Sequence, residues 1–157
     1  MLWCALLIQC ACTQQPRQAV SESSRASSTK TQIRNLEADE KQGGHTLKRH
    51  VGKSDMELHA RLARERSISA ASTYMDRATA ESVVADVIAE NRRRIQQWQQ
   101  APGGHPNLVL DYDGQQPIGR TMRRNEAVSQ PCSHAVVVLK WVAADDFIVL
   151  TSYPECR

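Results

Sequence analysis

Apolar residues recur at helical spacing through the middle of the chain and at strand spacing towards its end. Met56, Leu58 and Leu62, with neighbouring alanines, form a stripe behind Ser54 and Glu57, whose spacing is that of a capping box. This predicts a helix over about Asp55 to Arg66. After Asp76, a candidate N-cap, Val84, Val87, Ile88, Asn91, Ile95 and Trp98 mark a longer helix that ends before Pro102, Gly103 and Gly104. Arg92, Arg93 and Arg94 fall in its C-terminal half, where cations suit the helix dipole, and read as a solvated face, with a nucleic-acid patch as the alternative. The period then changes. NLVLDY (107–112), IGRTM (118–122), HAVVVLKWV (134–142) and DFIVLTSY (146–153) are short β-branched or apolar runs separated by turn residues. The last two predict a hairpin through Ala143 to Asp146. Helices first and strands afterwards imply an α+β domain, with N-terminal helices packed on a small, mostly antiparallel sheet.

The front of the chain has neither pattern. Residues 1–13, MLWCALLIQCACT, are uncharged and mostly apolar, like the hydrophobic part of an export signal. They fall short of the roughly 20 residues that span a bilayer. LLIQCACTQQ resembles a degenerate lipoprotein signal in which Cys10 or Cys12 would carry the lipid; an ordinary apolar leader is the alternative. Residues 14–42 are rich in Ser, Gln, Thr and charge, with Val20, Ile33 and Leu36 as the main apolar positions. That composition buries too little surface to offset backbone entropy, so the segment is read as a flexible linker with a short helix near Ile33 to Lys41. The globular part is expected over 43–157, as one domain in a chain of 157 residues.

Hairpin register carries a further expectation. If the turn centres near Ala144, paired residue numbers sum to about 288 to 290, and Cys132 with Cys156 satisfies that sum. A disulfide there would close a loop of about 25 residues; two unpaired thiols remain the alternative, since the compartment decides the redox state.

Charge and motifs narrow the chemistry. Twenty Lys and Arg against seventeen Asp and Glu give a formal charge of +3, which permits contact with phosphates without making the chain a polycation. GGHTLKRHVGKS (43–54) concentrates histidines, cations and glycines. Its Gly52-Lys53-Ser54 tail resembles the end of a P-loop, but Leu47 stands where that loop requires glycine. His45, His50 and His59 lack HExxH spacing or paired cysteines, so no metal site is assigned. No G-x-S-x-G elbow is present. What remains is acid–base chemistry beside cations. Histidine titrates near neutrality and arginine grips phosphate with two parallel hydrogen bonds, a combination suited to a phosphodiester.

GGHTLKRHVGKSDMELHARL, the Ser-Thr-Tyr-Met-Asp start of the second helix, Trp98, IGRTM and the closing VVVLKW and FIVLTSYP resemble the RNase A-like C-terminal toxin domain of bacterial contact-dependent growth inhibition (CdiA-type) proteins, over about Gly43 to Pro154. The resemblance implies an RNase A-like α+β core and a ribonuclease toxin of interbacterial competition. It would cut RNA without metal or other cofactor, through the 2′-hydroxyl, to a 2′,3′-cyclic phosphate. Carried over by position, the catalytic residues are His50, Arg61, Thr151 and Tyr153. His45 is a reserve acid or phosphate ligand, and Lys48 and Lys53 are substrate-steering charges. A cognate immunity protein with an acidic face is implied, and export followed by action in the cytoplasm of a target cell. A non-catalytic exported envelope protein or lipoprotein that keeps the fold is the competing expectation.

Overall fold

Ser54 starts the first long helix as its spacing requires. Its Oγ accepts from the Glu57 amide at 3.3 Å while the Glu57 carboxylate accepts from the Ser54 amide at 2.8 Å, a reciprocal cap that satisfies two otherwise orphaned donors. In the computed structural model, which describes residues 34–157, eleven elements follow in order. They are α1 (Leu36–Lys41), α2 (Thr46–His50), α3 (Asp55–Arg64), β1 (Ala70–Tyr74), α4 (Arg77–Glu90), α5 (Arg92–Gln100), β2 (Leu108–Asp113), β3 (Gly119–Arg123), β4 (Gln130–Cys132), β5 (His134–Ala143) and β6 (Asp146–Glu155). The apolar leader, with Cys10 and Cys12, and the linker as far as residue 33 lie outside the described residues. Among those described, no helix is long and apolar enough to cross a membrane.

The fold is α+β, but its strands form two antiparallel three-stranded sheets, ordered β1-β3-β4 and β2-β5-β6. The expected hairpin is present, with Ala135 opposite Pro154, Val138 opposite Thr151 and Trp141 opposite Phe147. β1 and β4 had no strand signal. Ser72, Thr73 and Tyr74 read as the lead-in to the helix after Asp76, and Gln130-Pro131-Cys132 is three residues with a proline. Both become strands by pairing with β3, so long-range partners decide where local propensity is weak. At Gly119 of β3, a Cβ would collide with the Thr73 carbonyl and the Pro154 ring, which explains the glycine in IGRTM.

The long second helix is instead two. Asn91 caps the first of them, its backbone and side-chain amides both donating to the Val87 carbonyl at 3.0 and 2.9 Å, and the chain breaks there. The three arginines therefore occupy the first turn of α5, not a C-terminal half, and all are exposed. Val83, Val84 and Val87 of α4 pack on Leu110, Val137, Leu139 and Val149 to make the main core. A smaller cluster joins Leu58 and Leu62 of α3 to Ala71 and Met122.

The packed body also begins before Gly43. Leu36 is 1% exposed, and Arg34 bridges Asp39 at 2.5 Å while donating to the Phe147 carbonyl at 2.7 Å. One buried leucine and one fork of charge thus hold residues that composition alone assigns to a linker.

Candidate functional site

The site is built where α2 and α3 meet the end of β6. The His45 amide donates to the Leu150 carbonyl at 3.0 Å, and the Ser152 amide donates to Thr46 Oγ1 at 2.9 Å, so the one-turn α2 is tied to β6 at both sides of its start. Gly52, at φ +66°, then turns the chain, and Val51 bridges to Tyr74 in parallel. This leaves His50 at the end of α2 over β1, 6% exposed.

His50 Nδ1 lies 3.2 Å from the Ser72 carbonyl. A carbonyl only accepts, so Nδ1 carries the hydrogen and Nε2 keeps its lone pair. Burial, reinforced by the charge of Arg61, pushes the imidazole down to about 3. The ring is therefore neutral at physiological pH, and a weak base until an anion sits beside it.

Arg61 comes from α3, its side chain 14% exposed. Nε donates to Glu65 Oε2 at 3.3 Å and Nη1 to the Arg49 carbonyl at 3.4 Å. From β6, Thr151 and Tyr153 share one face, as residues two apart must. Ser152 faces the other way, its hydroxyl 2.6 Å from Tyr74 and 3.0 Å from the Val136 carbonyl. The Tyr153 ring lies 5.3 Å from that of His50. Burial, with help from Glu155 and Asp111, raises the Tyr153 hydroxyl above its ordinary value, so it stays protonated. The Thr151 hydroxyl is buried and has no hydrogen-bond partner among the described residues, an unusual state for such a group.

These four side chains line one cleft of about 590 Å³, together with His45. Burial and the nearby Arg49 charge lower His45, so it too favours the neutral form. Lys48 and Lys53 do not reach this cleft. They line an adjoining groove of about 400 Å³ with Arg49 and Arg64, and Arg61 borders both spaces. Ser72, Thr121 and Arg123 also line the cleft and were not singled out from the sequence as site residues. Ser72 had no local mark, because it acts through its backbone carbonyl.

Cys132 and Cys156 are joined, with Cα atoms 4.9 Å apart. The bond closes the open end of the β5–β6 hairpin, just past its last pair, His134 opposite Glu155, and Cys132 also belongs to β4, where it pairs with Gly119. It ties the two sheets together beside the cleft, which Cys156 lines. Among the described residues, no three His, Cys, Asp or Glu side chains are grouped so as to hold a metal ion.

The depressed His50 imidazole has a consequence for stability. Between pH 6.5, where the unfolded residue titrates, and about 3, where the folded one does, the unfolded state binds the extra proton. Stability therefore falls as pH is lowered through this window, by about 1.4 kcal/mol per unit from this residue alone. Urea midpoints measured from pH 7 to 4 should drop steeply, and less steeply in His50→Gln; equal slopes would contradict the burial of a neutral ring. His45, shifted in the same direction, contributes to both proteins alike.

Comparison with known proteins agrees with the α+β fold. Residues 44–154 match the family described as the bacterial CdiA-CT RNAse A domain. Among solved structures, the chain is similar to that of a CdiA-CT/CdiI complex from Y. kristensenii, at 28% identity and a TM-score of 0.62, over 71% of this chain and 99% of that one. No curated protein matches. The chain belongs to the bacterial CdiA-CT RNase A domain family, ribonuclease toxin modules of contact-dependent growth inhibition.

Proposed function

We propose that this domain cleaves RNA without a metal ion, by attack of a 2′-hydroxyl on the adjacent phosphodiester to leave a 2′,3′-cyclic phosphate. The observation that carries the reading is a neutral, correctly tautomerised His50 sharing one cleft with Arg61 and the unpartnered hydroxyl of Thr151. His50 Nε2 takes the proton of the 2′-hydroxyl. The 2′-oxygen then bonds to phosphorus, and the bond to the 5′-oxygen breaks. Arg61 holds the negative charge that grows on the nonbridging oxygens. Thr151 donates its free hydroxyl to one of them and orients the phosphate. Tyr153, protonated at rest, gives its proton to the departing 5′-oxygen. The imidazolium and tyrosinate so formed have ring centres 5.3 Å apart, and the proton returns from His50 to Tyr153 through solvent. His45 lies in the same cleft as a second phosphate ligand or reserve acid.

Lys48 and Lys53, in the adjoining groove, draw in the polyanion and meet the flanking strand. The same basic surface suits an acidic immunity protein. The similar CdiA-CT is a complex with CdiI, and a cognate inhibitor for this chain is proposed by analogy, as is delivery to the cytoplasm of a target cell.

The test is incubation of total RNA with the full chain in excess EDTA, with product ends mapped. Undiminished cleavage leaving 2′,3′-cyclic phosphate and 5′-hydroxyl ends is expected. Loss of activity in the chelator, or 5′-phosphate ends, would refute the mechanism.

A further inference from the structure

Glu65 sits where helix energetics disfavour it. It is the C-cap of α3, at the negative end of the helix dipole, and it pairs with an arginine four residues before it, the less favourable order for such a pair. Its backbone already has work of its own, the amide donating to the Arg61 carbonyl at 2.8 Å and the carbonyl accepting from Arg124 at 3.1 Å. None of that needs a carboxylate.

The side chain gathers three arginines. Oε2 lies 3.3 Å from Arg61 Nε and 3.9 Å from Arg49 Nη1, and Oε1 lies 3.5 Å from Arg64 Nη2. Arg61 is the least exposed of the three, at 14% against 51% and 70%. Glu65 takes the Nε hydrogen and the Arg49 carbonyl one Nη1 hydrogen, so the guanidinium is held at two points. Its remaining hydrogens, on Nη2 and the other Nη1 position, stay available to a phosphate in the cleft it lines. Arginine's five donors in a rigid fork make such divided use possible.

We propose that Glu65 is a positioning residue that locks Arg61 in its reactive orientation, at a cost in attraction for the RNA polyanion. The inference rests on the catalytic reading of Arg61 given above. The carboxylate adds a negative charge to the basic groove of Lys48, Arg49, Lys53 and Arg64, so its loss strengthens encounter while loosening the transition-state contact. A fall in kcat together with a fall in KM is the signature, and a helix-stabilising ion pair has no reason to produce it.

The experiment is steady-state cleavage of a fluorogenic mixed-sequence oligoribonucleotide by the full chain, as wild type, Glu65→Ala, Glu65→Gln and His50→Ala, with thermal unfolding of each. Glu65→Ala should lower kcat roughly tenfold and lower KM about threefold at low salt, the KM effect fading as salt is raised. Glu65→Gln keeps an acceptor for Arg61 Nε without the charge, so kcat should be retained while KM still falls. An unchanged kcat in Glu65→Ala, or a Glu65→Gln as slow as the alanine variant, would overturn the role of Glu65. Both readouts come from folded protein if the melting curves agree with wild type. Full cleavage by His50→Ala would refute the catalytic reading itself, independently of what either Glu65 variant does.

Discussion

His50→Gln is expected to slow RNA cleavage about 10³-fold, within the range that a general base contributes. The glutamine amide can still donate to the Ser72 carbonyl, 3.2 Å from His50 Nδ1, so the fold keeps its contact while the proton acceptor disappears. Burial and Arg61 press the free imidazole down to about 3, so protonation does not silence the unliganded enzyme near pH 6. The acid limb of kcat/KM, which reports free enzyme, should therefore lie well below the ordinary histidine range. A bound phosphate is an anion beside the ring and favours its protonated form, so the acid limb of kcat should lie at higher pH. Rate measurements across pH 4 to 8 decide this. A His50→Gln variant within tenfold of wild type, or two coincident acid limbs, would remove His50 from the base role.

Arg61→Lys is the second large effect, an expected loss of about 10²-fold in kcat. The substitution keeps the charge and removes the fork. Arg61 spends Nε on Glu65 and one Nη1 hydrogen on the Arg49 carbonyl, and still has donors for the phosphorane. An ammonium drawn to Glu65 cannot also present a fixed planar edge to two phosphate oxygens. KM should change much less than kcat, because long-range attraction depends on charge rather than on geometry. Activity of Arg61→Lys equal to wild type would reduce Arg61 to a steering charge.

Much of the scaffold was legible because its signals are local. The Ser54–Glu57 cap marks α3, Asp76 marks the start of α4 with its carboxylate 2.7 Å from the Thr79 amide, and two apolar runs around Ala143 to Asp146 mark the hairpin. The break at Asn91 was harder to see, since a side chain bonding back to Val87 leaves the apolar period intact. The short helix at 36–41 was expected, but not its packing on the domain, because a single buried leucine is invisible in composition. β1 and β4 exist only through β3, so no window along the chain could reveal them.

The site divides in the same way. The sequence alone determined which chemical groups are present, that Thr151 and Tyr153 share a strand face, and that Arg61 follows a well-capped helix start, because those properties depend on residue type and on spacing within one element. Tertiary structure decided the rest. It brought His50 from the end of α2 against β1, set its tautomer through a backbone carbonyl 22 residues away, separated Lys48 and Lys53 from the cleft, and placed Glu65 among three arginines. Protonation state and free donors depend on what surrounds a group in space, and burial by distant segments is not written in any short stretch of chain.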